Sequence, residues 1–207
     1  MPTPEQYRTA LEAAIRRLHV AGHTNFYVQR DPSIFHDTNI KAWIMGQTGN
    51  IGLPDADLAV QDDEGRTLRA YLIVIGNVGM LENEAQLRLQ RLRGQLAQLG
   101  VPDALCILTQ GSEATVPEPV PDTYIPQNMR GTRVERISFH PSELVLDYLR
   151  MAKINIFNSS NTPAAPSLIA EGLGLPEAGV IEACETLHRT GRLELINVGS
   201  RRFYRIP

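Results

Sequence analysis

Two hydrophobic periods alternate along this chain, one of about 3.6 residues and one close to continuous. Tyr7, Leu11, Ala14, Ile15 and Leu18 recur at helical spacing and predict a helix over 4–19, which Gly22 stops. Strand-like pieces follow near Phe26–Val28 and Ala42–Met45. Leu53–Val60 reads as a turn entering a strand. Asp62–Arg66 reads as a solvated hairpin turn, with Gly65 supplying the positive φ. Ala70–Ile75 is an unbroken apolar run, the pattern of a strand covered on both faces. Leu81, Ala85, Leu89, Leu92, Leu96 and Leu99 then step along one face of a helix over 81–99, ended by Gly100. Ala104–Leu108 is a second buried strand. Helix, three strands, helix and strand in that order predict an α/β layer domain over residues 1–112.

Pro117, Pro119, Pro121 and Pro126 interrupt the pattern. Residues 113–139 therefore read as a proline-rich connector that ends in a short alternating strand, Thr132–Phe139. Residues 140–207 carry a different order. A helix over Ser142–Ala152 leads to a short strand at Ile154–Phe157. Helices over Ala165–Leu173 and Pro176–Thr190 follow, the second with Val180, Cys184 and Leu187 inward. Strands at Leu193–Asn197 and Arg202–Ile206 close the chain.

Composition narrows the function. The 207 residues are 43% hydrophobic and 21% charged, which fits folded globular protein and excludes wholesale disorder. No apolar run approaches the roughly 18 residues of a membrane span, and no secretory signal is read, so a cytoplasmic location is expected. Cys106 and Cys184 stand apart in apolar contexts and read as buried free thiols. The net charge of −3 is uneven, because residues 189–207 hold five arginines against Glu194. That basic tip favours a local polyanion contact, not uniform nucleic-acid affinity.

Leu168–Leu175, with Gly174 permitting a tight turn, then Val180–His188, Gly191–Leu193 and Phe203–Arg205 together resemble a winged helix-turn-helix domain. The resemblance implies a third helix that enters the major groove and a wing that grips phosphates. The outward positions of that helix are Glu177, Gly179, Glu182, Glu185 and Thr186, which repel phosphate or read no base. The wing is basic. Arg192, Arg201, Arg202 and Arg205 are therefore the expected DNA-binding residues, unless local glutamates pair with them. Arg88, Arg91 and Arg93 form a possible second basic face.

Pro54-Asp55-Ala56-Asp57, with the hairpin and helix after it, resembles the restriction-endonuclease-like fold in its αβββαβ order. That family holds magnesium between an Asp on one strand and an Asp or Glu on the next, with a lysine two residues on. Aligned strand ends put Val74 at the acid and Gly76 at the lysine. The resemblance therefore implies a nuclease scaffold without its chemistry. Migrated ligands would need Asp57 with Glu82 or Glu84, and Lys41 or Arg69 in place of the lysine. Those two glutamates equally suit a helix N-terminus. Gly76, Gly79 and Met80 read as a structural turn before an anion cradle. The five histidines show no metal-ligand spacing.

The expectation is a non-enzymatic protein that binds double-stranded DNA, in transcriptional regulation or as an accessory to a mobile-element or DNA-processing complex. It needs no cofactor, metal or membrane. The α/β domain would supply dimerisation or partner docking. A protein-contact module without DNA affinity, and a magnesium-dependent nuclease with migrated ligands, are the alternatives.

Overall fold

The computed structural model describes residues 3–29, 32–44, 52–76, 83–109, 132–138, 140–154 and 163–207. Helix α1 (Pro4–Val20) starts at a Thr3 cap, whose hydroxyl accepts the Gln6 N–H while the Gln6 side chain accepts the Thr3 N–H. Strand β1 (Asn25–Val28) and helix α2 (Thr38–Ile44) follow. The expectation of a strand at Ala42–Met45 is corrected here. Residues 42–44 lie in α2, which buries Ile40 and Ile44 four residues apart, and Met45 lies outside the described residues. Strands β2 (Leu58–Gln61) and β3 (Thr67–Ile75), helix α3 (Asn83–Leu99) and strand β4 (Asp103–Thr109) complete the predicted run.

The strand expected at the end of the connector is β5 (Arg133–Ser138), and it belongs to the sheet. The sheet order is β1-β2-β3-β4-β5. The first three strands pair antiparallel, and β4 and β5 join parallel. Residues 113–131 and 139 of the connector, and Asn155–Phe157 of the strand expected at Ile154–Phe157, lie outside the described residues; Ile154 ends a helix.

Both faces of the sheet are covered, which explains its unbroken apolar runs. Ala59, Ala70, Leu72, Leu105 and Ile107 meet Leu89, Leu92 and Leu96 of α3. Residues one step out of phase, including Val60, Tyr71, Ile73, Cys106 and Leu108, face the α1 side. Each fully buried leucine contributes about 1.5–3 kcal/mol.

The chain then adds α4 (Pro141–Ile154), α5 (Pro166–Leu173) and α6 (Glu177–Arg189), and a hairpin of β6 (Glu194–Val198) and β7 (Arg201–Arg205). Ala164, just before α5, exchanges backbone hydrogen bonds of 2.8 and 2.9 Å with Tyr204 and so borders the hairpin. Helix α4 packs on α1, and one continuous core runs from the sheet through α1 to Leu149, Ile169, Cys184 and Tyr204. The protein is thus an α/β fold with a five-stranded mixed sheet and six helices among the described residues. No described helix is long and apolar enough to cross a membrane.

Enclosure of α1 makes stability depend on pH. His19 stacks on Trp43 with ring centroids 4.0 Å apart, and its Nδ1 lies 3.0 Å from the His23 carbonyl. Burial holds its pKa below the ordinary histidine value, and burial together with Arg69 does the same for His23. The folded state therefore binds fewer protons than the unfolded chain as pH falls through about 6.5. Stability is expected to drop between pH 7.5 and 5.5, as a lower urea midpoint. Burial of Asp147 raises its carboxyl pKa and acts in the opposite sense, so the comparison with His19→Gln separates the two. That variant is expected to flatten the fall.

Candidate nucleic-acid interface

The β6–β7 hairpin places its residues by simple alternation. Register pairs Asn197 with Arg202 and Leu195 with Tyr204, so Arg202 shares the face of the buried Tyr204. From there its guanidinium reaches Glu185 on α6 at 2.9 Å. Arg201 and Arg205 lie on the other face. Arg205 pairs with its cross-strand neighbour Glu194 at 2.7 Å. Arg192 precedes the hairpin and pairs with Glu143 of α4 at 2.9 Å. Among the described residues Arg201 has no acidic partner, and it stands exposed beside the Gly199-Ser200 turn, where Gly199 takes φ +61°.

The four arginines expected to touch DNA are therefore not one patch. Arg201 and Arg202 share the tip, Arg205 lies on the Arg201 face, and Arg192 is held toward α4. Three of the four meet local carboxylates. Their pairs are largely exposed, and such pairs contribute only about 0–1 kcal/mol, so a phosphate can displace them. On α6, Glu177, Glu182 and Glu185 are exposed as expected, while Gly179 and Thr186 are half-buried. Ile181 adds an apolar side chain that is 37% exposed.

The second basic face expected on α3 is corrected. Arg88 bonds Asp57 at 2.9 Å, Arg91 grips Asp55 at 2.8–3.1 Å, and Arg93 pairs with Asp103 at 2.9 Å. These side chains neutralise acids of the sheet edge, because α3 lies across the loop that carries Pro54–Asp57. Sequence separation hid the pairing. The spacing of Arg88, Arg91 and Gln95 on one helix side was the available sign of it.

The acidic corner is filled. Asp57, 5% exposed, accepts from the Tyr7 hydroxyl at 2.6 Å, the Ile73 N–H at 2.8 Å and Arg88. Asp55 accepts from Arg91 and Gln95, and the Arg91 hydrogen bond holds its pKa below the usual carboxylate value. At the expected acid position, Val74 packs against the α3 side of the sheet. At the expected lysine position, Gly76 donates its N–H to Leu108 at 3.0 Å. Glu84 is exposed at the start of α3, and Glu82, Gly79 and Met80 lie outside the described residues. Lys41 sits in α2, and Arg69 is engaged with Glu135 at 3.4 Å. Among the described residues no three His, Cys, Asp or Glu groups are placed to hold a metal ion. Cys106 and Cys184 are buried and unbridged, and burial pushes both thiols far above neutral pH.

No protein family, curated protein or solved structure matches the chain, so its site is read from its own geometry.

Asp57 so held is a structural ion. Asp57→Ala is expected to cost about 3 kcal/mol, because Arg88 and the Ile73 N–H lose a buried acceptor. The check is urea denaturation of both proteins with and without millimolar magnesium. Magnesium is expected to leave the urea midpoint of the native protein unchanged. A rise that Asp57→Ala abolishes would mean the corner holds metal.

Proposed function

We propose that this protein is a non-enzymatic DNA-binding protein, in which a restriction-endonuclease-like layer has lost its chemistry and a winged helix contacts the duplex. The observation that carries the reading is the hairpin tip, where exposed Arg201 stands beside Arg202 without an acidic partner among the described residues. The order of α4, the Ala164 bridge, α5, α6 and the hairpin supports the winged helix. A first helix, the antiparallel strands β1 to β3 with α2 inserted after β1, then α3 and a parallel β4 support the nuclease-like layer. Saturation of Asp57 by Tyr7, Ile73 and Arg88 argues against a metal-dependent step.

Contact on this reading is led by the wing. Phosphates replace Glu185 on Arg202 and Glu194 on Arg205, and they meet Arg201 directly. The acidic outer face of α6 stays out of the groove, so binding is governed by backbone charge and duplex shape more than by base edges. Such binding suits a regulator or an accessory of a DNA-processing complex. The α/β layer then serves dimerisation or partner docking. A second reading, a protein-contact module, is favoured by exposed Ile181 beside Glu177 and Glu182 on α6.

Duplex binding followed by fluorescence anisotropy across a salt series tests the reading. Three or four phosphate contacts give a log–log slope of about −3 to −4. Joint replacement of Arg201, Arg202 and Arg205 by alanine is expected to weaken binding similarly on unrelated sequences and to flatten the slope. Absence of binding at low salt would leave the protein-contact reading. Cleavage of the duplex in magnesium would overturn the non-enzymatic one.

A further inference from the structure

The strongest unexplained feature outside the hairpin is a buried ion cluster at the junction of α1, α2 and α5. Arg16 is 1% exposed, Glu12 0% and Asp37 3%. The Arg16 guanidinium donates to Glu12 at 3.1 Å and to Asp37 at 3.3 and 3.4 Å. It also donates at 2.8 Å to the Gly172 carbonyl, 156 residues away. That carbonyl lies in the last turn of α5, where backbone acceptors lack helical donors and carry the negative end of the helix dipole. Glu12 in turn accepts the His36 N–H at 2.6 Å and the Asp37 N–H at 3.4 Å.

Glycines on either side of this contact fit the same arrangement. Gly174 caps α5 with φ +63°, and a Cβ there would collide with the His36 ring. A Cβ at Gly172 would collide with Tyr148 of α4. The turn between α5 and α6 is thus gripped by a guanidinium on one side and a ring on the other. Both come from the α/β layer. A lysine does not reproduce this fork, since Arg16 holds Asp37 from both Nε and Nη2 while Nη2 also faces Glu12 and the Gly172 carbonyl, and an ammonium has only one nitrogen.

We infer that Arg16 is a coupling residue, which makes the turn between α5 and α6 open only together with the α/β layer. The proposed winged helix then has one orientation on the layer, and a partner docked on the layer acts on the α5–α6 turn through this contact. The inference concerns the contact itself and stands apart from DNA binding.

Native-state hydrogen exchange on the full chain tests it, with Arg16→Lys, Gly174→Ala and His36→Ala as variants. In the native protein the slowest amides of α5 and α6 are expected to exchange through the same opening as those of β3 and β4. Arg16→Lys is expected to speed α5 and α6 at least tenfold while β3 and β4 keep their rate. Gly174→Ala presses on the His36 ring but also strains the cap at φ +63°, and His36→Ala removes the ring without that strain and leaves the Arg16 cluster intact, so the pair reports even if Arg16→Lys does not fold. Separate, faster exchange of α5 and α6 in the native protein would overturn the inference. So would foldable variants in which helices and sheet still exchange together.

Discussion

Everything in this fold is arranged around a helix that has no solvent-facing side along most of its length. Helix α1 buries Ala10 through Arg16 without a gap, then Leu18 and His19. A helix enclosed in this way needs apolar residues all round, or polar ones that are fully satisfied. Glu12 and Arg16 are the polar exceptions. They are tolerable because each completes the other, and because Asp37, the His36 backbone and the Gly172 carbonyl use what remains. Arg17 repeats the arrangement near the rim, 3.1 Å from the buried Asp147 of α4. The sheet covers one side of α1 and the C-terminal helices cover the other, so the helix is the common wall of both halves.

The same pairing of charges explains the filled acidic corner. A guanidinium beside a partly buried carboxylate favours its charged form. Here α3 supplies guanidinium groups, and the Tyr7 hydroxyl of α1 takes part of Asp57. The corner joins α1, the sheet and α3 in three layers.

Much of this was written in the pattern, and the reasons for the gaps are physical. Ala70–Ile75 and Ala104–Leu108 were legible because strands covered on both faces must be apolar throughout. Helices α1 and α3 were legible for the opposite reason, the long helical recurrence of their apolar residues. Helix α2 was not. Seven residues give Ile40 and Ile44 a single helical repeat, too little to outweigh Trp43 and the β-branched isoleucines. Strand β5 was detected but placed in the connector, because pairing with β4 is parallel and leaves no local mark. Within the candidate site, Asp55, Asp57, Arg192 and the hairpin arginines could be named from sequence. Their partners could not, since Arg88 lies 31 residues from Asp57 and Arg202 lies 17 from Glu185. The buried Arg16 was missed because arginine at helical spacing reads as surface until its partners are known.

The enclosure of α1 also constrains how the chain is made. Helix α1 is made well before it is fully covered, because its outer wall is built from α4 to α6, which begin only at Pro141. At roughly 5–20 residues per second, about ten seconds or more pass before that wall exists. During this interval Glu12 and Arg16 remain beside an exposed alanine- and leucine-rich surface. Until then α1 presents a sticky apolar surface, and a truncation that removes α4 to α6 would leave that surface uncovered.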